Sequence, residues 1–131
     1  MQRTDRVWWC IAALSGALMV MLGAYAAHGL AARTTEAMVS AVETGVRYQA
    51  WHTLAIMIVQ VWRQVQPLAG QRWVLALWAL GMVCFSGSLY LMALAGLNLG
   101  IITPVGGLLL MAGWLALGGV ALLAPRRHRS P

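Results

Sequence analysis

The sequence contains no lysine, and only three of its 131 residues are acidic. Those acids are Asp5, Glu36 and Glu43. Charged residues make up 9% of the chain, whereas soluble domains carry about 25%. Acid–base catalysis by two carboxylates needs acidic side chains in pairs, and this scarcity argues against it.

Cysteine is equally scarce. The sequence has only Cys10 and Cys84, and each lies within an apolar run. Neither belongs to a C-x-x-C motif, so neither a disulfide framework nor a thiolate metal site is indicated. The sequence also lacks a Ser-His-Asp order, a phosphate-binding glycine loop and a compact set of metal ligands. We therefore predict no catalytic residues, no metal and no cofactor, and we expect that the protein is not an enzyme.

The scarcity of charge leaves long apolar runs, and 61% of the residues are hydrophobic. Residues 7–27 hold no charged side chain and would span about 30 Å as a helix, the thickness of bilayer hydrocarbon. This run exceeds the usual core of a signal peptide, about 7 to 15 residues, so we expect a retained helix. Further runs occupy residues 48–62, 73–94 and 104–123. We predict an all-α integral membrane bundle of four transmembrane helices in one domain, residues 1–131.

Polar residues recur at helical spacing between the first two runs. Residues 35–47 are therefore predicted to form a short amphipathic helix between the first and second spans, with Thr34 or Thr35 as its N-cap. The second span is bracketed by Arg47 and Arg63 and would cover only about 22 Å. Local thinning of the bilayer, snorkelling of Arg47, or a protein-lined polar pocket around Arg47 would each accommodate this length.

The net charge of +6 comes entirely from arginine. In a soluble protein this excess would suggest nucleic acid, but here the arginines flank apolar runs, as topogenic charges do beside anionic lipid. We predict the lipid bilayer as a partner and no nucleic acid. Both termini and the connection at 63–72 should be cytoplasmic, because they hold every arginine except Arg33 and Arg47.

The densest polar cluster near the membrane lies at the predicted non-cytoplasmic end of the first two spans. As a candidate polar pocket we take His28, Glu43, Arg47, Tyr48 and His52. Ionisable residues at membrane depth are functional candidates, so the two histidines could bind a small molecule, pass protons or ligate haem. The structural alternative is that His28 caps a helix and His52 bonds a neighbouring helix. On that alternative Glu43 and Arg47 form an i,i+4 ion pair.

A second polar set belongs to the third and fourth spans. Its members are Ser86, Ser88, Tyr90, Thr103, Gly106 and Gly107. The hydroxyl groups of the third span would bond a packed helix or their own backbone. Thr103 is predicted as the N-cap of the fourth span, and the glycines favour close helix packing. The alternative is a pocket for a small anion, because the positive end of the fourth helix would face the same outer side.

Four sequence blocks resemble a known family, in the same order. They are GAYAAHGL at 23–30, YQAWHTLA at 48–55, FSGSLY at 85–90 and TPVGG at 103–107, followed by Gly113 and Trp114. The chain is similar over nearly its whole length to the bacterial membrane family that includes the YgdD-like and YwdK-like proteins, a domain of unknown function. The resemblance implies a four-helix inner-membrane protein and supplies no reaction, substrate or site residues.

We therefore expect a small membrane protein that acts by association, as a subunit, an assembly factor or a homo-oligomer. Its partner would be another copy of itself or another membrane protein. The alternative is a transporter or binder of a small molecule, with the candidate polar pocket as its site. A haem-binding redox subunit is the third hypothesis.

Overall fold

The computed structural model describes residues 1–126, and within them the chain is helical and has no strands. Its α-helices are α1 (Arg3–His28), α2 (Glu36–Val65), α3 (Gln71–Ala95) and α4 (Ile102–Leu123). A single 3-10 turn, Leu30–Ala32, follows α1. The predicted all-α class is confirmed. Arg127, His128 and Arg129 of the predicted cytoplasmic tail lie outside the described residues.

Three of these helices are long and apolar enough to cross a membrane, and they are α1, α3 and α4. At about 1.5 Å per residue each exceeds the thickness of bilayer hydrocarbon. They contain the predicted first, third and fourth spans. Within residues 1–126, α2 does not meet the same criterion of length and composition.

The predicted amphipathic segment and the predicted second span are consecutive parts of the single 30-residue helix α2. Thr35 is its N-cap, and the Thr35 side chain accepts a hydrogen bond from the backbone N–H of Met38 at 3.3 Å. This bond satisfies one of the amide groups that the first helical turn leaves without a partner. No break separates residues 35–47 from residues 48–62, because α2 contains no proline that would interrupt its backbone hydrogen bonds.

Short connections make consecutive helices antiparallel neighbours. α2 packs between α1 and α3, and α4 packs on α3. The common core is apolar, and its fully buried members include Ile56, Val74, Leu75 and Trp78. α2 and α3 are therefore the inner helices of the bundle, each with a neighbour on either side.

The two faces of α2 have opposite polarity to those of a helix in a soluble protein. Its inward positions include Gln49, His52, Thr53, Ile56 and Gln60, all of them buried. Its outward positions include Trp51, Leu54, Ile58 and Val61, each more than half exposed. A soluble helix buries its apolar stripe and exposes its polar one. Between residues 49 and 60, the polar groups of α2 are instead directed at the neighbouring helices.

Glycines allow α3 and α4 to approach closely. A Cβ atom added at Gly106 would overlap the backbone of Phe85, and one added at Gly113 would lie 2.5 Å from the ring of Trp78. The close packing predicted for the glycine-rich fourth helix is present at these positions. Gly118, one turn further, has open space around it and plays no part in this contact.

Candidate functional site

Three members of the predicted outer pocket lie on the surface of the bundle. His28, Glu43 and Arg47 are exposed. The ion pair expected between Glu43 and Arg47 is not formed. The ion pair found within residues 1–126 joins Arg63 to Asp5 instead. Exposed side chains gain little from such a pair, because ordering two long side chains costs entropy. The structure does not place Arg47 in a pocket lined by this chain.

His52 has a different position, because its ring is buried among three helices with only 4% of the residue exposed. Its Nδ1 atom lies 2.7 Å from the carbonyl oxygen of Tyr48, and its Nε2 atom lies 3.0 Å from Nε1 of Trp114. A carbonyl only accepts and an indole N–H only donates, so we assign the proton to Nδ1 in a neutral ring. Both nitrogens are thus occupied within the chain, which leaves neither one free to ligate haem in this arrangement.

Aromatic rings from α2, α3 and α4 pack around His52. The ring of Tyr48 stacks on that of His52, with centroids 6.3 Å apart and an angle of 11° between the planes. Trp78 and Trp114 lie beside each other, with centroids 4.7 Å apart, and each meets His52 edge-on. Tyr48 also packs against Phe85. Two members of the predicted pocket, Tyr48 and His52, therefore belong to a cluster that joins α2, α3 and α4.

A chain of hydrogen bonds crosses the middle of the bundle from α3 to α1. The Tyr90 hydroxyl donates to Oε1 of Gln49 at 2.6 Å, and Nε2 of Gln49 donates to Oγ of Ser15 at 2.9 Å. The Ser15 and Thr53 hydroxyls are 2.7 Å apart, and the Thr53 hydroxyl donates to the sulfur of Met82 at 3.7 Å. The Ser15 hydroxyl therefore donates to Thr53, and every donor in the chain has an acceptor.

Sequence reasoning selected Tyr90 and missed Ser15, Gln49 and Thr53. A signal was present, because Gln49, Thr53 and Gln60 occupy one helical face of α2 at spacings of four and seven residues. Polar residues on one face of an otherwise apolar membrane helix usually bond a neighbouring helix. The sequence does not say which helix that is.

The second predicted set lies at the contacts between α3 and its neighbours. The Ser86 hydroxyl donates to the carbonyl oxygen of Gly45 at 2.7 Å, and the hydroxyls of Ser88 and Thr103 are 2.6 Å apart. Gly106 packs directly on the α3 backbone, whereas Gly107 has only ordinary contact distance to the Phe85 ring.

The prediction that Thr103 is the N-cap of the fourth helix is wrong. α4 begins one residue earlier, at Ile102, so Thr103 lies inside the first turn. Its hydroxyl bonds Ser88 on α3 instead of its own backbone. Pro104 also fits in this turn, because the amide that it lacks would have no partner inside the helix.

A groove of about 240 Å³ opens between α1 and α3, where α2 alone separates them. Its polar members are Ser15, Gln49, Ser86 and Tyr90, and its apolar members include Leu14, Leu18 and Met82. Gly87 lies at its edge, and a Cβ added there would meet nothing within 4 Å. The groove is therefore open on its outer side and lined with small or already hydrogen-bonded groups.

A second polar cluster, unnoticed in the sequence, lies at the opposite end of the bundle from His28. Nη1 of Arg63 contacts Oδ1 of Asp5 at 3.2 Å and Oε1 of Gln60 at 3.1 Å. The Arg63 and Asp5 side chains are each only 8% exposed. Asp5 lies at the start of α1 and Arg63 at the end of α2, so the antiparallel arrangement of the two helices brings them together.

The part of the chain that the structure describes contains no group of three or more histidine, cysteine or acidic side chains placed to hold a metal ion. Its concentrated polar groups are the hydrogen-bonded chain centred on Gln49 and the Asp5–Arg63 cluster. Both join residues that are far apart in sequence, on different helices.

Three apolar helices, two of them packed against a helix with a polar inner face, define a small helical membrane protein. The chain belongs to the family described as "Protein of unknown function (DUF423)", whose model matches residues 22–107. The family resemblance expected from the four sequence blocks is thereby confirmed.

The chain is similar along most of its length to several named membrane proteins. It is 43% identical over 112 residues to the UPF0382 inner membrane protein YgdD of Escherichia coli K12. The matched region covers 85% of this chain and 86% of that protein. It is 39% identical over 108 residues to a UPF0382 membrane protein of Haemophilus influenzae, with 82% and 86% covered. A UPF0382 membrane protein of Staphylococcus haemolyticus is 43% identical over 107 residues, with 78% and 87% covered. No solved structure matches the chain.

Proposed function

We propose that this protein is a four-span protein of the bacterial inner membrane that has no enzymatic activity and acts by association with another membrane helix. Its role would be that of a subunit, an assembly factor or a homo-oligomer. The observation that carries the proposal is the open groove between α1 and α3.

The polarity of its two faces supports α2 as the fourth span. Its outward side chains between Arg47 and Arg63 are apolar, as a helix facing lipid requires. Its polar side chains face α1 and α3, where their hydrogen bonds are made within the protein. A criterion based on composition alone excludes α2 as a span because of these inward polar groups. Residues 35–47 would form the part of α2 at the membrane surface, with Glu43 and Arg47 exposed.

The pairing of Asp5 with Arg63 supports a cytoplasmic position for both the N-terminus and the connection between α2 and α3. It places these two segments at one end of the bundle. Arg3, Arg6 and Arg72 belong to the same end, and the positive-inside rule assigns such an end to the cytoplasm. Four spans would return the C-terminus to that side.

The groove supports association because it is open and its polar groups are already hydrogen-bonded within the chain. Helices pack in membranes where small residues allow close approach and few polar groups need new partners. Gly87 is such a residue, since the space around its missing side chain is open. Leu14, Leu18 and Val83 supply apolar walls for the packed helix.

The test is to fill the groove without disturbing the chain itself. A Gly87→Leu variant adds a side chain into open space, so it should fold normally and lose association. We expect the unmodified protein to migrate as a complex larger than one chain in mild detergents, as measured by chromatography with light scattering. The Gly87→Leu variant should shift to the mass of one chain.

A Gly118→Leu variant is the matched control, because Gly118 also faces open space but lies on α4, away from the groove. It should keep the mass of the complex. A discrete monomer for the unmodified protein in several mild detergents would overturn the proposal. So would an unchanged complex in the Gly87→Leu variant.

Association is better supported than a small-molecule pocket at the outer end of the bundle. Such a pocket needs several polar groups directed at one space. His28, Glu43 and Arg47 are exposed, whereas both ring nitrogens of His52 are bonded within the chain.

A further inference from the structure

A cavity of about 740 Å³ lies at the end of the bundle that holds the Asp5–Arg63 pair. α1, the end of α2, the following turn and the start of α3 all contribute to its wall. The lining includes Trp8, Arg63, Pro67, Arg72 and Trp73. The cavity is open to the outside and combines two guanidinium groups with two indole rings.

Arg63 is held in the wall of this cavity with part of its hydrogen-bonding capacity unused. Its side chain is 8% exposed, and both of its hydrogen bonds to other residues leave from Nη1. The Nε atom is buried and has no acceptor among residues 1–126. A guanidinium carries five N–H donors in a planar fork, so such an arrangement has capacity for another acceptor. Carboxylate and phosphate oxygens fit this geometry best.

The charges around the cavity do not cancel. Asp5 balances Arg63, while Arg72 is exposed and has no ion-pair partner in the described part of the chain. Among the lining residues and Asp5, one net positive charge therefore remains, which matches a ligand with a single negative charge. A phosphodiester of an anionic phospholipid has that charge.

The lining also favours a lipid over a free anion. A site for free phosphate surrounds the ion with polar donors, whereas Pro67, Leu68, Ala69 and Ala76 make much of this wall apolar. Trp8 and Trp73 are indoles at helix ends, and Trp73 is largely exposed. Such tryptophans lie at the depth of lipid headgroups. Basic pockets between membrane helices on the cytoplasmic side bind the headgroups of anionic lipids.

We propose that the cavity between Arg63 and Arg72 binds the phosphate group of an anionic phospholipid, with the indoles of Trp8 and Trp73 beside the headgroup. This site is independent of the groove, so a monomeric protein would retain it.

Tryptophan fluorescence provides a measurement, because two of the seven tryptophans line the cavity and the variants below isolate their response. The full chain is reconstituted into bilayers of phosphatidylcholine and phosphatidylglycerol. In one sample the phosphatidylglycerol is brominated, and in the other an equal amount of the phosphatidylcholine is brominated. Bromine quenches only nearby indoles. We expect stronger quenching by the brominated anionic lipid than by the brominated neutral lipid at equal content.

Removing one charge should reduce this preference without affecting the fold. In an Arg72→Gln variant the preference for anionic lipid should fall about fivefold, the usual effect of one basic residue near a membrane surface. Arg47→Gln is the matched control, because Arg47 is also exposed but belongs to α2 far from the cavity. It should leave the preference unchanged. Equal losses in the two variants would show general surface attraction and overturn the site.

An Asp5→Asn variant tests the site in the opposite direction. Asparagine keeps the shape and an acceptor oxygen, but it removes the negative charge that competes for Arg63. Lipid preference should therefore rise, which no loss of folding would produce. A fall or no change would contradict the proposal.

Inorganic phosphate distinguishes the lipid from a free anion. Millimolar phosphate added at constant ionic strength should leave the quenching by anionic lipid unchanged. If phosphate abolishes this quenching and sodium chloride does not, the ligand is a free anion and the lipid assignment fails.

Discussion

A few polar side chains favour one packing arrangement of the helices in this protein. Tyr90, Gln49, Ser15 and Thr53 form a continuous series of donors and acceptors between α3 and α1. An unpartnered polar group in hydrocarbon costs far more than in water, because no solvent replaces the missing bond. The series therefore favours one relative rotation of the three helices over all others.

The hydrogen bond from Tyr90 to Gln49 can be removed by deleting one oxygen atom, the Tyr90 hydroxyl. A Tyr90→Phe variant leaves Oε1 of Gln49 buried without its donor, since Gln49 is 5% exposed. We expect a loss of about 1 kcal/mol in the free energy of unfolding, the range measured for hydrogen bonds between membrane helices. Unfolding of the purified protein in mixed micelles with increasing denaturing detergent measures the change.

Tyr25→Phe is the control for this variant, because the Tyr25 hydroxyl has no hydrogen bond among residues 1–126. It should change stability by less than the Tyr90 variant. Combining Tyr90→Phe with Gln49→Leu should cost less than the sum of the single changes, because both remove the same bond. Strict additivity would mean that the bond does not contribute.

Among the helices, the contact of α3 with α4 depends on the absence of side chains at particular positions. Gly106 and Gly107 are neighbours in sequence, but they point in directions about 100° apart around a helix. Only Gly106 faces the α3 backbone. The two positions therefore separate the effect of packing from the effect of helix propensity.

We expect a Gly106→Ala variant to lose about 2 kcal/mol of stability, the usual cost of overpacking, because its Cβ overlaps the Phe85 backbone. A Gly107→Ala variant should be neutral or more stable by up to about 1 kcal/mol, since alanine is the better helix former. The same unfolding measurement compares them. Equal destabilisation by both would show that propensity, and not close packing, limits this interface.

For the molecule as a whole, the number of spans decides which sides of the membrane the ends occupy. An even number of crossings places both termini on one side, and an odd number places them on opposite sides. The three helices that are long and apolar enough to cross a membrane would give an odd number, and the crossing proposed for α2 would make it even.

We expect reporters at both ends to lie in the cytoplasm. Fusions of a fluorescent protein, which matures only in the cytoplasm, should be bright at either terminus. Fusions of a phosphatase that is active only outside should be inactive at both. The physical reason is the excess of arginine at these ends and the exposed apolar side of α2, which suits a fourth crossing.

A phosphatase fusion at Thr34, in the α1–α2 connection, is the control and should be active. If the two termini report opposite sides, α2 does not cross the membrane. The proposed fourth span would then fail while the helical fold stands.

The positions of the helices follow from the amino-acid order alone. Charge-free runs predicted the spans at 7–27, 73–94 and 104–123, and each lies within a helix of the structure. The N-cap of α2 could be predicted as Thr34 or Thr35, because capping depends on neighbours in sequence, and the structure has Thr35. Family membership was also readable from short blocks of residues.

The pairs between helices could not be obtained in this way. Asp5 meets Arg63, and Ser15 meets Gln49, across separations that local spacing does not encode. Glu43 and Arg47 have the spacing of an ion pair, yet both are exposed and remain apart, whereas His52 turns inward to Trp114. A helix forms from local bonds, but its rotation about its own axis is set by the packing of its neighbours. That rotation determines which polar side chains become a site.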